Sequence, residues 1–72
     1  MRNNILTPTQ IEYLDMLANG HEPKEMGLRF GVTKFEVYYH LSEIRKKLGA
    51  HTNPHAAVIG IDYGIVKLRK TR

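Results

Sequence analysis

The sequence predicts an all-α fold, a four-helix bundle whose second and third helices form a helix-turn-helix. Apolar residues recur at helical spacing in four segments, and each segment is bounded by capping residues or glycines. No segment has the alternating pattern of a strand. We therefore expect one domain over residues 1–72, with its core over about 6–65 and a basic C-terminal tail over 66–72.

The first helix is predicted to begin at Thr7 and to end at Gly20. Thr7 and Gln10 have the spacing of a capping box, and Pro8 suits the first helical position. A glycine readily adopts the left-handed conformation that often follows a helix. The apolar residues that we expect to face the core are Ile11, Leu14, Leu17 and Ala18.

The second helix is predicted to begin at Glu22-Pro23 and to stop at Gly31. Only Val32 and Thr33 separate it from the third helix. So short a connection after a glycine forces the two helices to cross steeply, as in a helix-turn-helix. The apolar contacts of this helix are expected from Met26, Leu28 and Phe30.

The third helix, from Thr33 to Gly49, has two different sides. Thr33 is the predicted cap, and Glu36 is expected to complete a capping box. Branched apolar residues at the spacing i, i+4, i+7 and i+11 form one side: Val37, Leu41, Ile44 and Leu48. The other side carries Phe35, Tyr38, Tyr39, Ser42 and Lys46, with Arg45 and Lys47 on its flanks. This combination of aromatic, hydroxyl and basic groups suits entry into a DNA groove.

The fourth helix is predicted to open at Thr52 or Asn53 and to end at Gly64. Its core-facing residues are expected to be Ala57, Val58 and Ile61. A second group is expected to project from the other side: His55, Ala56, Ile59 and Tyr63.

The net charge of +4 is mostly a property of the C-terminal tail. Of the eleven Lys and Arg residues, four lie among the last six residues, and the rest of the chain is electrically balanced. The position of the charges is more informative than their sum, because Arg45, Lys46 and Lys47 adjoin the aromatic side of the third helix.

The composition argues against several classes of protein. The chain has no cysteine, and His21, His51 and His55 are scattered and lack acidic partners at ligand spacing, so we expect no metal site and no cofactor. We find no nucleophile with a base partner and no glycine-rich phosphate loop, so we expect no enzyme activity. No apolar run approaches the roughly 18 residues of a membrane span, and a cytoplasmic location is expected.

Three colinear segments resemble the LuxR/GerE-type helix-turn-helix domain, the DNA-binding module of many bacterial transcription regulators. LTPTQIEYLDMLANG is similar to its first helix, PKEMGLRFGV to its scaffold helix, and EVYYHLSEIRKKLGAHT, without a gap, to its recognition helix. The similarity covers roughly residues 6–65. It implies a sequence-specific regulator that places the third helix in the major groove of double-stranded DNA. It also implies a bacterial host, with a protein that is either nucleoid-associated or encoded by a phage.

The resemblance also implies roles for individual residues. Base contacts are expected from Tyr38, Tyr39, Ser42 and Phe35. For the tyrosines the alternative is simple exposure or burial of one ring against the second helix, and for Phe35 it is packing beneath the turn. Phosphate contacts are expected from Lys24, Thr33, Lys34, Arg45, Lys46 and Lys47. Capping is the alternative role for Thr33, and Glu43 is expected to pair with Lys47.

The expected partner, besides DNA, is a second copy of the chain. Relatives dimerise through the fourth helix, which implies an interface formed by His55, Ala56, Ile59 and Tyr63. The rival interpretation is a small protein-interaction module that binds another regulator or RNA polymerase. It rests on aromatic and acidic residues that reduce the positive charge where DNA would lie, namely Phe35, Glu36, Tyr38 and Glu43.

Overall fold

A computed structural model describes residues 5–69 and contains four α-helices in that range. They are α1 (Pro8–Ala18), α2 (Pro23–Phe30), α3 (Lys34–Leu48) and α4 (Asn53–Asp62). The described residues contain no strand, so the prediction of an all-α, four-helix fold is confirmed. None of these helices is long and apolar enough to cross a membrane.

Local capping residues determine where the helices begin. The Thr7 hydroxyl accepts from the Gln10 N–H at 3.1 Å, and the Gln10 side-chain oxygen accepts from the Thr7 N–H at 3.0 Å, which completes the predicted capping box. Thr33 caps α3 as predicted, because its hydroxyl accepts from the Glu36 N–H at 3.2 Å. The prediction that Glu36 completes this second capping box is wrong. The Glu36 carboxylate instead lies 3.8 Å from Nε2 of His40, one turn along the helix.

Two glycines make the connection between α2 and α3 tight. Gly31 ends α2 in the left-handed region, with φ of +71°. Gly27 lies so close to the turn that a Cβ atom there would be 2.8 Å from the Val32 carbonyl oxygen. The two helices therefore approach more closely than a side chain at position 27 would allow.

The core is a small apolar cluster drawn from all four helices and from the segments that flank them. Its buried members are Leu6, Tyr13, Leu14, Met26, Val37, Leu41, Ile44, Ala56 and Val66. The predicted apolar stripe of α3 is therefore confirmed, apart from Leu48, which is only partly buried. The prediction for Leu28 is wrong, because this side chain is 78% exposed on the outer side of α2.

The prediction of which side of α4 faces the core is wrong. Val58 is 63% exposed and Ile61 is also exposed, whereas Ala56 and Gly60 are buried. A Cβ atom on Gly60 would lie 2.7 Å from Cδ2 of Leu14, so α1 and α4 touch at this glycine. Close approach at small residues therefore decides which side of α4 faces the core, and the larger apolar residues turn outward.

The chain continues past α4 as an extended segment that crosses the end of α1. We call residues 65–69 the C-terminal strap. Val66 is buried, and the Asn19 side chain donates to the Lys67 carbonyl at 3.0 Å and accepts from the Arg69 N–H at 2.7 Å. The Arg69 guanidinium also pairs with the Asp15 carboxylate. The folded core thus extends beyond residue 65, the predicted limit. Lys70 and Arg72 of the predicted tail lie outside the described residues.

Candidate nucleic-acid interface

The side of α3 that faces away from the core carries four exposed residues and the partly exposed Ser42. Phe35, Tyr39, Ser42 and Lys46 recur at i, i+4, i+7 and i+11, and Tyr38 lies beside them. We call these five residues the α3 outer face. Phe35 is 71% exposed, Tyr39 61% and Tyr38 48%. Phe35 is therefore not packed beneath the turn, and neither tyrosine is buried against α2.

The opposite side of α3 is fixed in the core. Val37, Leu41 and Ile44 are fully buried, so rotation of the helix about its axis would expose apolar surface to water. The domain thus presents the α3 outer face in a defined orientation.

A group of aromatic rings links the core to the α3 outer face. Tyr13 stacks on Phe30 with ring centroids 4.5 Å apart, and His40 tilts against Tyr13 at 4.9 Å. The His40 ring also makes a T-shaped contact with the ring of Tyr39, with centroids 5.6 Å apart. Tyr39 is therefore positioned by a chain of rings that begins in the core. Tyr13 was not among the residues predicted to face the core, although its place beside Leu14 in α1 was a signal for it.

The environment of Tyr13 keeps its phenol neutral. Burial raises the pKa of this group above its ordinary value of 10.0, and the Glu36 carboxylate raises it further.

The basic residues around the α3 outer face fall into two groups. Lys24, Lys34 and Lys46 extend into solvent. The Lys34 ammonium lies 5.8 Å from the centroid of the Phe35 ring, and that of Lys46 lies 3.4 Å from the Glu43 carboxylate. The predicted pairing of Glu43 with Lys47 is therefore wrong, since Glu43 pairs with Lys46 instead.

Arg45 and Lys47 bond to the body of the domain. The Arg45 guanidinium donates to the Asn53 side chain at the start of α4. The Lys47 ammonium donates to the side-chain oxygen of Gln10, on α1, at 2.9 Å. Both residues therefore hold the C-terminal end of α3 to its neighbours, an intramolecular role that the sequence analysis did not foresee.

The residues predicted to form a dimer interface differ in their exposure. Ala56 is buried in the core and Ile59 is partly buried, so the prediction of an interface through Ala56 is wrong. Tyr63 is exposed at the end of α4, and the exposed His55 ring stacks on His51 with centroids 5.8 Å apart. The exposed apolar residues on the outward side of α4 are instead Val58 and Ile61. Periodicity could not identify them, because α4 carries apolar residues on every side.

No group of three or more His, Cys, Asp or Glu residues among residues 5–69 is arranged to hold a metal ion.

A tight turn between α2 and α3, with the outer face of α3 exposed, defines a helix-turn-helix protein. The family model for bacterial regulatory proteins of the luxR family, GerE, matches residues 4–59. The match covers most of the chain, and the protein belongs to this family of DNA-binding transcription regulators. No curated protein matches the chain.

Proposed function

We propose that this protein is a sequence-specific transcription regulator that inserts the α3 outer face into the major groove of DNA. The exposure of this face carries the proposal. Phe35, Tyr38 and Tyr39 offer their rings to solvent while the opposite side of the same helix is fixed in the core. Membership of the luxR family supports it, because the family consists of DNA-binding regulators.

Three exposed lysines are the best placed to contact phosphates. Lys24 lies on α2, Lys34 lies at the start of α3, and Lys46 lies on the α3 outer face. Each bears a mobile ammonium group that would bind a phosphate oxygen as a point charge. Arg45 and Lys47 would join them only by sharing or giving up their bonds to Asn53 and Gln10. The Thr33 hydroxyl already caps α3 and could donate its proton to a phosphate.

The experiment is a titration of a random-sequence duplex with the protein at several salt concentrations, followed by fluorescence anisotropy. The logarithm of the association constant should fall with the logarithm of salt concentration, with a slope of about 0.9 per phosphate neutralised. Lys46→Ala should weaken binding to all sequences and reduce the slope by roughly one contact.

Lys67→Ala is the matched control, because it removes the same charge from the C-terminal strap, and it should leave the slope nearly unchanged. Absence of binding at low salt would exclude the proposal. It would favour the rival function, a module that binds another regulator or RNA polymerase through the same aromatic face.

We further propose that two copies associate through α4. Val58 and Ile61 are three residues apart on its outward side and leave apolar surface in water. A two-fold dimer through this helix would present two α3 helices to two half-sites on DNA.

A further inference from the structure

Apart from Lys46 near its C-terminal end, the α3 outer face lacks the side chains that most often distinguish purines. Arg and Lys bind guanine, and Asn and Gln bind adenine, through paired hydrogen bonds in the major groove. The α3 sequence, KFEVYYHLSEIRKKL, contains no Asn or Gln. Its single arginine, Arg45, bonds to Asn53 instead of projecting from the outer face.

The lysines near this face contact other side chains and lie at the two ends of the helix. Lys34 lies against the Phe35 ring at the first residue of α3, and Lys46 pairs with Glu43 near the last turn. The middle of the face therefore offers only tyrosine and serine hydroxyls as polar groups, from Tyr38, Tyr39 and Ser42.

Most of the exposed surface of the α3 outer face is aromatic and apolar. Phe35 is 71% exposed and has no hydrogen-bonding group, so it gains nothing from a donor or acceptor on a base edge. It lies in the first turn of α3, and the first turns of a recognition helix are the part that contacts base edges in helix-turn-helix complexes. The one apolar group that base pairs present in the major groove is the 5-methyl group of thymine.

We propose that α3 selects its DNA sites chiefly through thymine methyl groups, which pack against the rings of Phe35 and Tyr39. This inference rests on the proposed function and adds the class of base that the protein recognises. The two residues are one helical turn apart on the same side, so they would meet neighbouring base pairs along the groove. The contact of Tyr39 with His40, which itself packs on Tyr13, holds the second ring in place.

The test uses uracil in place of thymine. A tightly bound duplex is first selected from a random pool, and each thymine is then replaced singly by deoxyuridine, which removes only the methyl group and keeps base pairing. Burial of one such group corresponds to roughly a fourfold change in Kd. We therefore expect roughly fourfold weaker binding at one or more positions and no change at the others.

A variant then assigns the methyl contact to its side chain. Phe35→Ala should weaken binding to the thymine duplex and remove the difference between thymine and uracil at one position. Tyr63→Ala is the control, because it removes an equally exposed aromatic ring from the end of α4 and should preserve that difference.

Failure of this inference is distinct from failure of the proposed function. A protein that binds the selected duplex tightly, with equal Kd for thymine and uracil at every position, would overturn the methyl readout and leave DNA binding intact. A wild-type protein that binds no duplex at low salt would overturn both.

Discussion

Tyr13 is the residue whose chemistry the fold changes most clearly. Its phenol is buried between Phe30 and His40, and the Glu36 carboxylate adds to the cost of ionising it. Helical spacing did not predict the burial of Tyr13. It indicated Ile11 and Leu17 as core-facing residues, and these are only partly buried. The stack of rings, rather than the apolar spacing, explains why an aromatic residue occupies this place.

The raised pKa of Tyr13 predicts a loss of stability in alkali. The unfolded chain releases this proton near pH 10, whereas the folded protein holds it to higher pH, so the unfolded state binds fewer protons in that range. The contribution of Tyr13 to stability is therefore complete below about pH 10 and declines as pH rises through the folded-state pKa.

The Tyr13→Phe variant removes this effect, so its melting temperature should fall less steeply between about pH 9 and 11 than that of the wild type. All other residues are the same in the two proteins, so the comparison isolates the effect of Tyr13. Equal slopes for the two proteins would show that ionisation of Tyr13 is not linked to folding.

At the scale of elements, the parts of the fold that local chemistry determines were predictable. Thr7 and Thr33 begin their helices as expected, and Gly31 ends α2 with the positive φ that favours glycine. These signals lie within a few residues of the helix ends that they control, so the sequence displays them directly.

Features that depend on contacts between distant segments were not predictable. The contact of Gly60 with Leu14 determines which side of α4 faces the core. The path of the strap depends on Asn19, which lies about fifty residues earlier in the chain. In the candidate interface, the composition of the α3 outer face followed from periodicity. The bonds that engage Arg45 and Lys47 did not, because they depend on where α4 and α1 pack.

One side chain, Asn19, makes two of the hydrogen bonds that hold the C-terminal strap, which leads to a prediction. Asn19 acts like a backbone amide, because it donates to the Lys67 carbonyl and accepts from the Arg69 N–H. Asn19→Ala should accelerate hydrogen exchange of the Arg69 amide and lower the free energy of unfolding by about 1–2 kcal/mol, since partly exposed hydrogen bonds each contribute about 0.5–1.5 kcal/mol.

Asn19→Asp is the informative control, because it keeps an acceptor for Arg69 but loses the donor to Lys67. An intermediate exchange rate is expected for it. If exchange in the alanine variant matched the wild type, burial of Val66 and the pairing of Arg69 with Asp15 would account for the position of the strap.

For the whole molecule, the small core limits the stability of a single copy. A domain of this size buries a modest share of its surface, and association is one way to bury more. Val58 and Ile61 provide the apolar surface for it on α4, whereas the face predicted from sequence, with Ala56 and Ile59, is largely taken up by the domain itself.

Self-association therefore gives the last prediction. Val58→Asp should leave the fold intact, because position 58 is 63% exposed, and should shift the protein toward monomer in sedimentation experiments. It should also abolish cooperative binding to a duplex with two half-sites. Leu28→Asp places the same charge at an exposed leucine of α2 and should leave sedimentation unchanged. Identical sedimentation of the wild type and Val58→Asp would mean that α4 does not mediate association.

The distribution of tyrosines has a practical consequence. The chain contains four tyrosines and no tryptophan, so its ultraviolet emission comes from tyrosine alone. Tyr13 is enclosed in the core, whereas Tyr38 and Tyr39 lie on the α3 outer face. Unfolding would alter the emission of Tyr13, and occupancy of the α3 outer face by DNA, as proposed, would alter that of Tyr38 and Tyr39. The molecule thus carries separate optical reporters for its folding and for the occupancy of its surface, and neither needs an attached dye.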